Sequence, residues 1–175
     1  ERKQATALFA DIVGSTELIA KLDAESAGRR LQPAVEAMMQ AVGRFGGTIL
    51  HTLGDGLDAI FGAPRAQDGH ALLACQTALA MQEAVAALPV STEIRIGIHS
   101  GEVVASPRGD VFGHEAQGLV LHIASRLERE AEPGGILISK ECNDLVSDYC
   151  ETLPAGVRTL RAAANGCDMR SRLRV

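Results

Sequence analysis

A glycine-flanked aspartate between two apolar runs constrains the fold of this chain more than any other feature. The runs cover Thr48–Leu53 and residues 57–61, and Gly54-Asp55-Gly56 separates them. Two short apolar runs joined by a glycine-containing turn predict a β-hairpin. The chain is therefore expected to contain an antiparallel sheet with this hairpin inside it.

The segments around the hairpin alternate between strand and helix patterns. Residues 5–13 form a short apolar run that predicts a buried strand, and Asp23 predicts the start of a long helix ending near Phe45. Residues 67–88 predict an alanine-rich helix, and the alternation over residues 93–99 predicts a half-buried strand. This order predicts an α+β fold, a ferredoxin-like βαββαβ core with C-terminal additions and helices packed on one face of an antiparallel-rich sheet.

Shorter elements are predicted beyond this core. Ser100-Gly101 is expected to turn the chain into a short partner strand over residues 102–105, and a polar loop follows over residues 106–117. A helix over residues 118–130 and a strand over residues 136–139 come next. No composition shift marks an internal boundary.

The composition excludes several classes of protein. The chain has 175 residues, of which 46% are apolar and 22% charged, so it is interpreted as one globular domain over residues 1–175. A net charge of −5 and an aromatic content of 3% argue against a nucleic-acid-binding surface. No apolar run approaches the ~20 residues of a membrane span, so no membrane contact is expected. The scattered cysteines indicate neither a zinc site nor disulfides and favour the cytoplasm.

Two aspartates are predicted to meet at one edge of the sheet. Asp11 interrupts the first apolar strand, where a charge is costly unless it is compensated, and Asp55 lies at the hairpin tip. The first strand of a βαββαβ sheet lies beside the hairpin, so the two carboxylates converge and repel each other unless a divalent cation lies between them. Oxygen ligands favour Mg²⁺ or Mn²⁺. Taken singly, Asp55 could instead be a turn residue and Asp11 a capping residue.

The turn after Asp11 predicts a phosphate-binding site. Residues 12–16 lead into a helix, whose first backbone N–H groups can bind an anion. The candidate phosphate-binding residues are Gly14, Ser15 and Thr16. A hydroxyl of Ser15 or Thr16 is also expected to cap that helix.

A second polar group lies on the helix predicted over residues 118–130. His122 and Arg126 are four residues apart, so they project from one helix face. An arginine beside a polar side chain suits a charge-dense phosphoryl group. A solvated arginine and a histidine at the edge of the core are the alternative that sequence alone leaves open.

Four longer segments follow one another in a characteristic order: FADIVGST, GGTILHTLGDGLDAIFGAP, IRIGIHSGEVV and HIASRLEREAEPGGILIS. Together they resemble the class III nucleotidyl cyclase catalytic domain, that of adenylate and guanylate cyclases. The resemblance implies that Asp11, Asp55 and the Ile12 carbonyl bind two Mg²⁺ or Mn²⁺ ions. It also implies conversion of ATP to cyclic AMP and pyrophosphate, by attack of the ribose 3′-hydroxyl on the α-phosphate.

The resemblance assigns roles to further residues. Arg126 matches the family's transition-state arginine, and His122 takes the place of an asparagine that orients the ribose. His51 stands where the family has a purine-selecting lysine, and Glu115 stands where it has a purine-reading aspartate. Arg161 takes the place of a lysine that holds the triphosphate. These substitutions leave open a non-catalytic or weakly active nucleotide-binding and dimerisation module of the same fold.

The choice of purine also stays open. Asp110 replaces Glu115 as the purine-reading residue if five residues are inserted in this region, whereas Glu115 needs no insertion. Guanylate-type sites tend to have Glu and Cys at the two purine positions, and neither stands there in this chain. ATP is therefore the expected substrate, with GTP as the alternative.

The resemblance also implies a homodimer. In this family the site lies between two catalytic domains, with the metal-binding aspartates from one chain and the helix residues from the other. The sequence begins Glu1-Arg2-Lys3 without a methionine. We therefore expect an excised domain whose regulatory partner domains lie elsewhere in a longer protein.

Overall fold

The computed structural model describes residues 2–90, 92–107, 114–156 and 172–173 of the chain. Eight strands and five helices lie in these residues. In chain order they are β1 Arg2–Ile12, α1 Ser15–Lys21, α2 Ala24–Arg44, β2 Thr48–Leu53, β3 Gly56–Phe61, α3 His70–Ala86, β4 Ile94–Pro107, β5 His114–Gln117, α4 Leu119–Glu130, β6 Ile136–Ile138, α5 Lys140–Val146, β7 Thr152–Leu153 and β8 Arg172–Leu173. Within the described helices, no segment is both long enough and apolar enough to cross a membrane.

The strands form one mixed sheet in the order β2-β3-β1-β4-β6-β8-β7, with β5 paired to β4. The first strand, β1, is central and pairs antiparallel with both β3 and β4. Only β4 and β6 pair in parallel among the described strands. The predicted α+β class and the ferredoxin-like order of the first four strands are therefore confirmed.

The helices occupy both faces of the sheet, and the prediction of one covered face is wrong in this respect. Leu8, Ala10 and Ile12 of β1 face a core that also contains buried residues of α2 and α3. Ala5 and Ala7, earlier in the same strand and of the opposite parity, face the other side, where α4 contributes to a second core. The reason is that β1 is apolar on both sides, so each face needs its own cover.

The predicted turn at Ser100-Gly101 is also wrong, because β4 runs through it without a break. Ser100 pairs with Thr6 and Gly101 pairs with Ala5, so the long partner β1 keeps β4 extended. The Thr6 and Ser100 hydroxyls are 2.7 Å apart and hydrogen-bonded. The C-terminal part of the segment expected to be a loop forms β5 and pairs with the end of β4.

Ser139 connects the start of α5 to the sheet and offers a test of local stability. Its side chain is fully buried, accepts a hydrogen bond from the Cys142 backbone N–H at 3.2 Å and lies 2.7 Å from His99 Nδ1. Replacement of Ser139 by alanine is expected to lower the free energy of unfolding by about 2 kcal/mol, because it removes a helix cap and a buried partner of His99. Denaturant unfolding measures this change. The exposed Ser147 at the other end of α5 is the control, and an equal loss in Ser147→Ala would contradict the assignment.

Candidate active site

The strand order brings Asp11 and Asp55 to the same edge of the sheet. Asp11 lies opposite Gly56 at the end of the β1–β3 ladder, and the next backbone N–H, that of Ile12, donates to the Asp55 carbonyl at 2.9 Å. Both aspartates line a cleft of about 280 Å³. Gly56 is required here, because a Cβ at this position would lie 2.5 Å from the Ala10 carbonyl oxygen and 3.1 Å from Asp11 Oδ1.

The electrostatics of this pair suit a divalent cation. Burial raises the pKa of Asp11, and the nearby negative charge of Asp55 raises it further. Ser15 Oγ donates to Asp55 Oδ2 at 2.6 Å, which fixes the orientation of that carboxylate. A cation between the two carboxylates would remove their repulsion and meet oxygen ligands of the kind that Mg²⁺ and Mn²⁺ prefer. The residues present therefore fit such an ion.

Among the described residues, no larger set of protein ligands surrounds the pair. Over the described ranges, no three His, Cys, Asp or Glu side chains form a group that could hold a metal ion. A cation at this edge would therefore depend on Asp11, Asp55 and main-chain oxygens such as the Ile12 carbonyl. Its remaining ligands would come from water or from the phosphates of a nucleotide.

Two charged residues of this cleft, Arg95 and Glu128, were not singled out from the sequence. Arg95 Nη2 donates to Asp11 Oδ2 at 3.4 Å, and Arg95 Nε lies 3.5 Å from Glu128 Oε1. Burial raises the pKa of Glu128 to about 7, and the charge of Asp11 acts in the same direction. The register of β1 against β4 places Arg95 directly opposite Asp11, so a correct pairing of these two strands would have revealed it.

The turn after Asp11 is built differently from its prediction. Gly14 precedes α1 with φ of 76°, a left-handed conformation that favours glycine, and no side chain caps the helix. Ser15 is the first residue of α1 and is buried, and its hydroxyl is taken by Asp55 instead of capping the helix. Thr16 is exposed. A second cleft, of about 270 Å³, is lined by Gly14, Ser15 and Arg30 among others.

His51 and Asp58 form a pair on the hairpin. His51 is exposed on β2, and its Nδ1 lies 2.9 Å from Oδ2 of Asp58, directly opposite on β3. Asp58 is only 4% exposed and lines the cleft of Asp11 and Asp55. Burial raises the pKa of Asp58, and the hydrogen bond with His51 opposes that shift.

The two helix residues, His122 and Arg126, lie outside the cleft of their own chain's aspartates. His122 is exposed and Arg126 is partly exposed, one helical turn apart on α4, and neither lines the cleft. The α4 residues that do line it are Ser125, Glu128 and Arg129. Glu115 lies in β5, Asp110 and Arg161 lie outside the described residues, and the choice between Glu115 and Asp110 stays open.

Known proteins are similar to this chain over most of its length. A family model, "Adenylate and Guanylate cyclase catalytic domain", matches residues 1–162. "Adenylate cyclase 1" of Rhizobium meliloti is 30% identical over 83% of the chain, and the "Receptor-type guanylate cyclase gcy-23" of Caenorhabditis elegans is 28% identical over 93% of it. The matches span only 24% and 16% of those two proteins.

A solved structure agrees with the sequence comparison. The crystal structure of the adenylyl cyclase CyaB from P. aeruginosa aligns with a TM-score of 0.88 and 28% identity, covering 100% of this chain and 96% of the other. The strand order, the facing aspartates at the sheet edge and this similarity over nearly the whole length point to one assignment. The chain belongs to the adenylate and guanylate cyclase catalytic domain family, and its fold is that of a class III nucleotidyl cyclase domain.

Proposed function

We propose that this domain converts ATP to cyclic AMP and pyrophosphate at sites shared between two copies of the chain. The observation that carries the proposal is that Asp11 and Asp55 line one edge of the same cleft, where burial and then the charge of Asp55 raise the pKa of Asp11. Two divalent cations bound there would activate the ribose 3′-hydroxyl and neutralise the triphosphate. Asp11, Asp55 and the Ile12 carbonyl hold the cations, and Ser15 keeps Asp55 oriented.

The other proposed roles belong to residues that bind and orient the nucleotide. Backbone N–H groups over residues 14–16 bind phosphate oxygens at the start of α1. Arg126 supplies positive charge to the α-phosphate as charge develops there in the transition state, and His122 orients the ribose. Arg161 contacts the triphosphate.

The placement of α4 supports a homodimeric site. His122 and Arg126 lie outside the cleft of their own aspartates, so they act on a nucleotide held by the aspartates of a second copy. A two-fold symmetric dimer then contains two equivalent sites. Each chain contributes its aspartates to one site and its helix residues to the other.

ATP is the proposed substrate, with His51 and Glu115 reading the purine. The contact with Asp58 fixes the ring of His51 through Nδ1 and leaves Nε2 free to meet a base edge. Glu115 can accept a hydrogen bond from the adenine amino group. Relatives named as adenylate and as guanylate cyclases both match the chain, so GTP is the competing substrate.

An assay with both nucleotides tests the reaction. Micromolar protein is incubated with equal ATP and GTP and with Mg²⁺ or Mn²⁺, and both cyclic products are quantified. The expected product is cyclic AMP, formed only with a divalent cation. Predominant cyclic GMP would favour the guanylate alternative. Binding of ATP with Mn²⁺ but no cyclic product would favour a non-catalytic nucleotide-binding module, which the substitutions at His51 and His122 motivate.

Mixed dimers test the shared site. Equal amounts of Asp55→Ala and Arg126→Ala chains are expected to recover about a quarter of wild-type activity, because half of the random dimers are mixed and each has one intact site. Either variant alone should be nearly inactive. The matched control mixes Asp11→Ala with Asp55→Ala, which leaves every site lacking one of its two aspartates and should recover nothing. No recovery in the first mixture, with mixed dimers verified, would contradict sharing.

A further inference from the structure

Arg95 lies between two carboxylates that belong to different elements. Its Nη2 atom is 3.4 Å from Asp11 Oδ2 on β1, and its Nε atom is 3.5 Å from Glu128 Oε1 on α4. The side chains of Arg95 and Asp11 are each 29% exposed, and that of Glu128 is 9% exposed. A single guanidinium therefore bridges the edge of the sheet and the helix above it, close to the aspartates.

Both contacts of the Arg95 guanidinium are long. Arg95 Nε and Glu128 Oε1 are buried, and neither atom has a hydrogen-bond partner within the described part of the chain. Charge-assisted N–H···O contacts normally measure about 2.7–2.9 Å, well below both distances. For comparison, the exposed pair of Arg29 and Glu25 reaches 2.8 Å. Arg95 is thus shared between two carboxylates. Because a buried polar atom without a hydrogen-bond partner is costly, a movement that brings Arg95 Nε and Glu128 Oε1 into hydrogen-bond contact is favoured.

The charges around Arg95 make the sharing depend on what binds at the aspartates. The carboxyl groups that line the cleft belong to Asp11, Asp55, Asp58 and Glu128, and its positive side chains are Arg95 and the exposed Arg129. A cation held by Asp11 repels the guanidinium at short range and removes the negative charge that draws it toward β1. Glu128 Oε1 lies 3.5 Å from Arg95 Nε and has no hydrogen-bond partner within the described residues, so it can accept the guanidinium.

We propose that Arg95 is an internal counter-ion of the metal site, which holds Asp11 when no cation is bound and moves onto Glu128 when a divalent cation takes Asp11. The inference rests on the proposed role of Asp11 as a metal ligand. Arg95 and Glu128 are positioning residues in this scheme, since they act on the cation through Asp11. The scheme makes two specific statements: Arg95 competes with the cation, and Glu128 is what weakens that competition.

Titration with Mn²⁺ alone tests both statements without relying on catalysis. The apparent Kd is measured from the rise in Tm with Mn²⁺ for the wild type, Arg95→Gln, Glu128→Gln and the double variant. Arg95→Gln is expected to bind Mn²⁺ about tenfold more tightly, because a competing positive charge is gone. Glu128→Gln is expected to bind about tenfold more weakly, because Arg95 then has only Asp11 as a partner. If Arg95 and Glu128 had only a structural role, Mn²⁺ binding would be weaker in both single variants.

The double variant separates the proposal from simple charge addition. If Glu128 acts by accepting Arg95, Glu128→Gln should have little effect once Arg95 is glutamine, so the double variant should bind like Arg95→Gln. Independent charges would instead cancel and give a Kd near the wild type. The matched control is Arg129→Gln, which removes a positive charge from the same cleft without contact to Asp11 and should tighten binding less than twofold.

Several results of the Mn²⁺ titrations would overturn the counter-ion role of Arg95. Additive effects, or weaker Mn²⁺ binding in Arg95→Gln, would overturn the counter-ion role and leave the proposed cyclase function standing. If Arg95→Gln does not fold, Glu128→Gln still tests the proposal, because unchanged or tighter Mn²⁺ binding by this variant would overturn it. An equal rise in Tm with Mn²⁺ in the wild type and in Asp11→Asn would overturn the inference together with the proposed metal site.

Discussion

Replacement of Asp55 by alanine is expected to lower cyclase activity by about a thousandfold or more while leaving the fold intact. The loss follows from the proposed role, because without Asp55 a cation would keep only Asp11 and main-chain oxygens on the protein side. The comparison of kcat and KM for the metal–nucleotide complex measures it. We expect the effect mainly in kcat at saturating Mn²⁺.

Stability distinguishes this loss from unfolding. The variant loses the hydrogen bond from Ser15 but also loses the negative charge that, after burial, raises the pKa of Asp11. The free energy of unfolding without metal should therefore change by less than about 1 kcal/mol. Asp68 is an exposed carboxylate that lies outside the cleft, and Asp68→Ala controls for the loss of one charge. Retention of more than a tenth of the activity in Asp55→Ala would contradict the metal-binding role.

The second large effect is expected at Gly97, where β4 passes beneath α4. A Cβ on this residue would lie 2.1 Å from the Glu128 backbone nitrogen and 2.3 Å from the Ala124 carbonyl oxygen. These are backbone atoms of a helix, so no side-chain rotation relieves the overlap, and α4 must move away from the sheet. Gly97→Ala is expected to lower the free energy of unfolding by about 3 kcal/mol or more.

Gly43 provides the control for this substitution. It is an exposed residue of α2, and nothing lies within 4 Å of a Cβ built on it. Gly43→Ala should raise stability by up to about 1 kcal/mol, because alanine is the better helix former. Denaturant unfolding of both variants measures the difference. Equal stability of Gly97→Ala and the wild type would show that α4 lies farther from the sheet than described.

Local patterns were enough to predict the architecture around the hairpin. The apolar runs, the glycines at 54 and 56 and the order of strands and helices each depend on neighbouring residues, and they imply that Asp11 and Asp55 converge. The pairing of β1 with β3 confirms this placement, with Asp11 opposite Gly56. Asp23 likewise caps α2 as predicted, accepting the Ser26 backbone N–H at 2.9 Å.

Contacts between distant segments were not predictable in the same way. The pairing of β2 with β3 places Asp58 opposite His51 and in the lining of the cleft, which the pattern of its own strand does not predict. The break expected at Ser100-Gly101 is overridden by the pairing of β4 with β1 along their length. In both cases the deciding partner is far along the chain, and no local propensity reports it.

The sequence by itself determined the fold class, the turn that carries Asp55 and the two acidic positions of the site. The tertiary structure alone decided that α4 covers the second face of the sheet, that His122 and Arg126 lie outside the cleft of their own aspartates, and that Arg95 lies between Asp11 and Glu128. The physical reason is that hydrophobic periodicity and turn chemistry act between near neighbours, whereas strand register and helix docking set which charges share a cleft.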